Sequence, residues 1–393
     1  MVVGFLVGRT TLRRCLKWCE RNLGWLRAFI ALENGIASPP TACRLLCLVD
    51  AYLLAMAFMG WVGEILRTRG AHIVIDGKAL KAAIEKAKGG KTPMIMNTLD
   101  AATGLVVAQL PILDKECEIT AIPGLLGLLD IRGSTVTIDA IGTQTGIMRQ
   151  IVEAGGHFVL TVKKNQPLAY EEIMRFFRDA SAEHANWHRR AGRKPKRPET
   201  LEKYDEASSF ERNRDRHEYR HCKIFNDSSA LSKAGEEWAF VKSVGHVRQV
   251  RIPMERDAEG NDVTPDLETF LRQGSRRCRK PVSGDERDRA AQEVGIVSDL
   301  NMTAKEMGAF KRNHWSIENK LHHVLDSTFR EDRSPARRSK NSMALIRKFA
   351  YNILRLAMIR GPTCKTMPEM MDCFADDRSL VEEYVFSGIA SFY

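Results

Sequence analysis

Two carboxylates stand out by where they lie. Asp76 follows the apolar run HIVI (72–75), and Asp139 follows STVTI (134–138). The end of an apolar strand is an awkward place for a carboxylate without a partner. Taken singly, each reads most simply as a turn or helix cap. Taken together, on strands that can lie as parallel neighbours, they reach one rim of a sheet, where binding sites form. A third acid, Glu318, lies in RNHWSIENKLHHVLDSTF (312–329). There Ile317, Leu321, Val324, Leu325 and Thr328 make the core stripe of a helix. Glu318 is one step off that stripe, on a face shared with His314 and His322. Its plain reading is a boundary Glu paired to Lys or His. The histidines around it do not have zinc-ligand spacing, since neither HHxxD nor HxxxE matches the usual patterns. They are structural histidines, or groups that orient Glu318 and position a substrate.

The elements that must hold these residues are readable from periodicity. Residues 1–68 are helical in character, with Ser38-Pro39 as an N-cap followed by a first-turn proline. From residue 69 strands take over: 72–75, then 93–99 and 105–112 joined into a hairpin by Asp100–Gly104. A helix at 121–130, a strand at 134–138, a helix at 143–155, a strand at 157–162 and a helix at 168–180 follow. The order β-β-β-α-β-α-β-α predicts an α/β fold, a mixed sheet with helices packed on it. The boundaries are 1–68 for an N-terminal helical region and 69–184 for the first part of the sheet core. A β-rich, basic insertion fills 185–297, with a strand region at 237–254. Helices return at 303–311, 315–329 and 342–359, making 298–360 the helical part of the core that carries Glu318, and 361–393 a tail.

Composition narrows the partners. The 393 residues carry 60 Lys and Arg against 49 Asp and Glu, a net charge of +11. That sign favours an anionic partner, nucleic acid above all, with a solvated basic surface as the alternative. The runs HRRAGRKPKRPE (188–199) and RQGSRRCRK (272–280) are grips for a DNA backbone or solvated loops. Lys163-Lys164-Asn165-Gln166 follows a strand at a rim where phosphate contacts position DNA without reading its sequence. Lys78 is a similar candidate. The nine Cys form no framework, which fits reduced thiols in a cytoplasmic protein and argues against structural zinc. No secretory signal opens the chain. Leu45–Gly63 is apolar except for Asp50 and nearly reaches the ~20 residues of a membrane span. It reads as two buried core helices meeting near Asp50, with no membrane as partner.

Three long stretches carry a resemblance: IVIDGKALKAA (73–83), TIDAIGTQTGIMRQIVEAGGHFVLTVKKNQ (137–166) and NHWSIENKLHHVLDSTFREDRSPARRSKN (313–341). With LENGI (32–36) and EITAIPGLL (118–126), they resemble the DDE transposases of the ISAs-type insertion sequences, the group that includes the H-repeat-associated proteins. The resemblance spans most of the chain. It implies an RNase H-like mixed-sheet catalytic core with a β-rich insertion and flanking helical segments.

It also implies Asp76, Asp139 and Glu318 as catalytic acids and metal ligands, Asp76 bridging two ions and the others each completing one site. Phosphoryl transfer charges the attacking and leaving oxygens, and two Mg²⁺ ions about 3.5–4 Å apart stabilise both. Mn²⁺ has the same oxygen preference. The partners implied are insertion-sequence ends and target DNA, with a homodimer in the active complex because two ends are held together. Lys78, Lys163, Lys164, Asn165, His314 and His322 are the candidate DNA contacts. Asp326, Glu331 and Asp332 are rival third acids, most simply paired with Arg330, Arg333, Arg337 and Arg338. Trp315 reads as core. Relatives of the broader class carry Tyr, Arg and Lys at set offsets around the Glu, where this chain has Lys311, His314 and Leu325. After LENGI the chain also lacks the polar His-Asp-Thr-Phe stretch usual in the family, and it begins without an evident complete helical module. The alternative function is therefore a catalytically inactive DNA-binding relic or regulator of an element. A metal-dependent nuclease without strand transfer is a second enzyme reading.

Overall fold

The structure is a computed structural model that describes residues 1–80, 93–112, 118–190, 199–213, 216–232, 238–253, 255–256, 259, 262–263, 292–334, 339–361 and 364–387. The run 272–280 and most of 188–199 lie outside these. The chain begins with α1 (Val2–Leu6), α2 (Leu12–Arg21), α3 (Leu23–Leu26), α4 (Pro39–Leu48) and α5 (Ala51–Ile65). Then come β1 (His72–Ala79), β2 (Met94–Asp100), β3 (Val106–Ile112), α6 (Glu118–Gly127), β4 (Thr135–Ile138), α7 (Thr145–Glu153), β5 (His157–Val162), α8 (Pro167–Arg190) and α9 (Glu199–Glu202). Strands β6 (Tyr204–Asn213), β7 (Arg216–Phe225), β8 (Ser243–Pro253), the short β9 (Glu255–Arg256) and β10 (Asp262–Val263), and β11 (Gln292–Ser298) follow. The last part holds α10 (Ala304–His314), a π-helical turn (Ile317–His322), α11 (His323–Ser327), α12 (Lys340–Arg360), α13 (Met367–Asp376) and α14 (Arg378–Val381).

Two compact units divide the chain. One is Met1–Thr137 with Glu153–Gly156 and Asn313–Tyr393, the other Ile138–Val152 with His157–Arg312. In the first, the strand order is β3-β2-β1-β4. β1 to β3 form an antiparallel meander, and β4 lies on the far side of β1 after the α6 connection, the order of the first four strands of an RNase H-like sheet. Every residue of β2 is buried. The Asp100–Gly104 turn closes as its composition predicts: Asp100 accepts from the Thr103 amide and hydroxyl, and Gly104 takes φ +74°. Ala55 of α5, Leu80, Ile95 of β2 and Ala344 and Leu345 of α12 make one core cluster.

Ser38 caps α4 with Pro39 in its first turn, and Asp50 caps α5 by accepting from the amides of Tyr52 and Leu53. The apolar run is thus two helices meeting at Asp50, bent by 85°. Among the described residues no single helix is long and apolar enough to cross a membrane. The elbow itself is not core: Leu45, Leu48, Val49, Tyr52 and Leu53 are exposed, while Ala55, Phe58, Val62 and Ile65 are buried.

The second unit holds an antiparallel array in the order β5-β11-β8-β7-β6. Val159, Cys222, Ile224, Val247 and Ile296 form its core beneath Met307 of α10. β6 and β7 are the strands that the sequence did not display. EASSFERN and RHEYRHCKIF are too polar to alternate visibly, because the polar faces are used for ion pairs such as those of Glu218, which is 2% exposed, with Arg216 and Arg220.

Candidate active site

In the first unit, Asp76 sits within β1 rather than at its end, since pairing with β2 continues to Ala79 opposite Met94. Its direct cross-strand neighbour is Asn97. One carboxylate oxygen accepts from the Gly77 amide at 2.9 Å, and the other lies 3.6 Å from His322 Nδ1. Asn97 donates to the Ile95 carbonyl at 3.0 Å and approaches His322 Nε2 at 3.4 Å. An amide N–H facing Nε2 leaves the imidazole proton on Nδ1, aimed at Asp76. Burial, with Lys78 and Lys348 nearby, holds the His322 pKa down to about 3. The ring is therefore neutral at physiological pH and orients Asp76 as a dipole, not as a counter-ion.

The glycine of Asp76-Gly77-Lys78 is set by close approach. A Cβ there would stand 2.5 Å from Glu118 Oε1 and 2.9 Å from Met94 Cε. The buried Glu118 carboxylate thus lies against the backbone next to Asp76. Lys78 is buried and donates to Asp326 at 2.6 Å, with Glu331 at 3.9 Å and Asp332 at 4.0 Å. Glu331 also faces Arg347 at 3.6 Å. Among the described residues, the acids after Glu318 thus meet Lys78 of β1 and Arg347 of α12, far along the chain, while Arg337 and Arg338 lie outside those residues.

Glu318 is exposed on the π-helical turn, where the His323 amide reaches back to the Glu318 carbonyl. Ile317, Leu321 and Leu325 are buried as their spacing predicts. A π turn carries a wider hydrogen-bonded ring than an α-helix and is found disproportionately at functional sites. Trp315 is 40% exposed, so it is not core. His314 is buried and shares Thr137 Oγ1 with His72, at 3.2 and 3.0 Å.

In the second unit, Asp139 follows β4 directly and pairs with Lys163 at 2.8 Å. Burial alone would raise the Asp139 pKa, but the hydrogen bond and charge of Lys163, the Ala140 amide and the Lys311 charge outweigh it and leave the carboxyl below its ordinary value. Lys311 donates to Thr161 Oγ1 at 2.9 Å. Burial and repulsion from Lys163 lower its pKa to about 8, against the pull of Asp139. Asn165 donates to the Ala140 carbonyl at 2.9 Å and Gln166 to the Thr143 carbonyl at 2.8 Å, so the Lys163–Gln166 turn is tied to the segment after Asp139. Lys164 and Asn165 are exposed.

The structure adds Asn97, Glu118 and Lys311 to the residues around the acids. An amide inside the apolar run PMIMNTL was the visible signal for Asn97. Lys311 was marked only by its offset from Glu318, and nothing singled out Glu118.

Asp76, Asp139 and Glu318 offer oxygen donors alone, the set that a hard divalent cation such as Mg²⁺ prefers. Among the described residues no three His, Cys, Asp or Glu stand close enough together to hold a metal ion. By donor chemistry the acids fit such an ion, and Lys163 balances the charge of Asp139 in this arrangement.

Residues 67–353 match the family model described as a transposase DDE domain. The chain is 36% identical over 167 residues to an uncharacterized protein in the dhlA 3′ region of Xanthobacter autotrophicus, covering 41% of this chain and 55% of that one. It is 28% identical to the putative transposase YncI of Escherichia coli O157:H7, over 86% of this chain and 75% of the relative. It is 25% identical to the H repeat-associated putative transposase YhhI of Escherichia coli K12, over 85% and 78%. The chain thus spans about half the length of the first of these relatives and about three quarters of the other two.

Proposed function

The chain belongs to the transposase DDE domain family, and from that premise we propose that it is an insertion-sequence transposase cutting and joining DNA at element ends. The observation that carries the proposal is the family match over residues 67–353, a span that contains Asp76 in β1, Asp139 directly after β4, and Glu318 on a helical turn beyond the insertion. These three residues would hold Mg²⁺, or Mn²⁺ in its place, and a bound pair of ions would stabilise the charge on the attacking and leaving oxygens. Asp76, Asp139 and Glu318 would each supply a carboxylate to the ions. Water is the first nucleophile and releases a 3′-hydroxyl. That hydroxyl then attacks a target phosphodiester, so no covalent link between protein and DNA is needed.

The chain's own residues supply orientation and charge. His322, oriented by Asn97, directs an N–H at Asp76. Lys163 neutralises Asp139. The exposed Lys164 and Asn165 take DNA phosphates, while the buried Lys78, His314 and His322 hold the acid-bearing elements in place. The proposal keeps a split core at 69–184 and 298–360 around the insertion 185–297, flanked by 1–68 and 361–393, as a functional division distinct from the two compact units. Two ends must be held together, which calls for a homodimer in the active complex. A cytoplasmic location follows from the reduced-thiol composition.

The test is cleavage of DNA carrying the element's own ends, with Mg²⁺ or EDTA, by the wild type and by Glu318→Gln. The variant keeps the size of the side chain and removes its charge. We expect metal-dependent nicking by the wild type, a loss of at least two orders of magnitude in the variant, and joined product on a supplied target. DNA binding without nicking in any divalent metal would assign the chain to the inactive relics. Nicking without joined product would leave a nuclease.

A further inference from the structure

Outside the acid-bearing elements, the C-terminal part of the first unit brings two cysteines together. Cys364 Sγ and Cys373 Sγ are 3.0 Å apart, and both side chains are partly exposed. A disulfide of about 2.05 Å needs only about 1 Å of further approach, within reach of side-chain rotation. The helix start between the two cysteines is held by its own cap. Thr366 caps α13 in a reciprocal capping box with Glu369, whose carboxylate also accepts from the Lys365 amide at 2.8 Å. Met370, Met371 and Phe374 bury the other face of α13, so Cys373 is held at the boundary with solvent. The remaining described cysteines differ. Cys15, Cys19 and Cys222 are buried, and burial pushes the Cys15 thiol up to about 12. Cys43 and Cys47 are exposed one turn apart on α4.

We propose that Cys364 and Cys373 are a thiol modification site, a reversible intrachain disulfide formed by exchange with a small-molecule disulfide of the glutathione type. The thiolate of one cysteine attacks a sulfur of the reagent, forming a mixed disulfide and expelling one thiolate. The second cysteine, deprotonated, attacks the protein sulfur of that mixed disulfide and expels the other thiolate. Two protein thiols are oxidised, one reagent disulfide is reduced to two thiols, and the two protons end on those leaving groups. The closed link fastens a residue two before the α13 cap to the second turn of the helix. In a reducing compartment the pair stays open, and a shift toward oxidised glutathione closes it. Nothing in this depends on the transposase reading.

The experiment treats the reduced full chain with glutathione disulfide and follows intact mass, free thiols and peptide maps. The expected product has lost two hydrogens, retains no glutathione at these positions, and yields one cross-linked peptide pair containing Cys364 and Cys373, reversed by dithiothreitol. Cys364→Ser and Cys373→Ser should each retain glutathione on the remaining cysteine, because no second sulfur is there to expel it. Hydrogen exchange of α13 should slow on oxidation in the wild type and in neither variant. Adducts at Cys43 and Cys47 report that reagent reached the protein. Stable glutathione on both Cys364 and Cys373 of the wild type, links from either to a third cysteine, or covalent dimers through them would overturn the proposal.

Discussion

Asp139 and Lys163 show how a single contact sets the state of an acid. Both side chains are nearly half exposed, so their pairing adds little to stability. Its effect is on protonation. Burial works against the carboxylate, and the Lys163 hydrogen bond and charge reverse the balance. A depressed folded-state pKa contributes stability above the unfolded value and loses it as pH falls through the folded value. Lys163→Met removes the main opposing cause and leaves burial in place. We expect the Asp139 carboxyl to titrate higher in that variant than in the wild type, read from side-chain carboxyl carbon shifts in an NMR pH series. The share of stability that Asp139 loses on acidification should then shrink, because its folded and unfolded values draw together. An unchanged Asp139 titration would show that the Ala140 amide and Lys311 suffice without Lys163.

At the scale of elements, the turn carrying Glu318 is the part the sequence read least well. Its core stripe of Ile317, Leu321 and Leu325 was plain, because apolar spacing survives a locally widened helix. The π geometry was not, since it is a hydrogen-bond shift that alters no residue type. In the same way the hairpin 94–112 and β5 followed from apolar runs and turn residues, whereas β6 and β7 hid behind ion-paired faces. The acids were visible as misfits in apolar strands. Their supports were fainter: an amide in an apolar run marked Asn97, an offset marked Lys311 and nothing marked Glu118, because all three meet the acid-bearing strands through tertiary contacts between positions remote in the chain. The π turn makes its own prediction. Deleting Asn319 lets the segment relax to an α-helix and puts His322 three residues instead of four after Glu318, which alters the phase and rise between them. Far-UV circular dichroism should hardly change, while metal-dependent nicking should fall at least tenfold as His322 and Glu318 lose their relative phase. Full nicking by the deletion variant would mean that the π geometry has no part in presenting Glu318.

For the molecule as a whole, on the proposed function, the surplus of 11 positive charges would set how DNA is held more than where. Binding that neutralises phosphates releases condensed counter-ions, so the logarithm of the affinity falls linearly with the logarithm of salt, by about 0.9 per phosphate contact on duplex DNA. If the proposed function holds and several phosphates are met at once, a slope of about −5 or steeper is expected for duplex DNA of any sequence. Individual lysines should then be separable by their environment. Lys164 is exposed on a turn tied by Asn165 and Gln166 to the segment after Asp139. If it meets a phosphate, Lys164→Ala should flatten the slope by about one and weaken binding equally on element-end and random sequence. Discrimination between those sequences should be untouched, since phosphate contacts carry no sequence information. A Lys164→Ala slope equal to the wild type would place that lysine off the DNA. A change in sequence preference would instead move it from backbone to base.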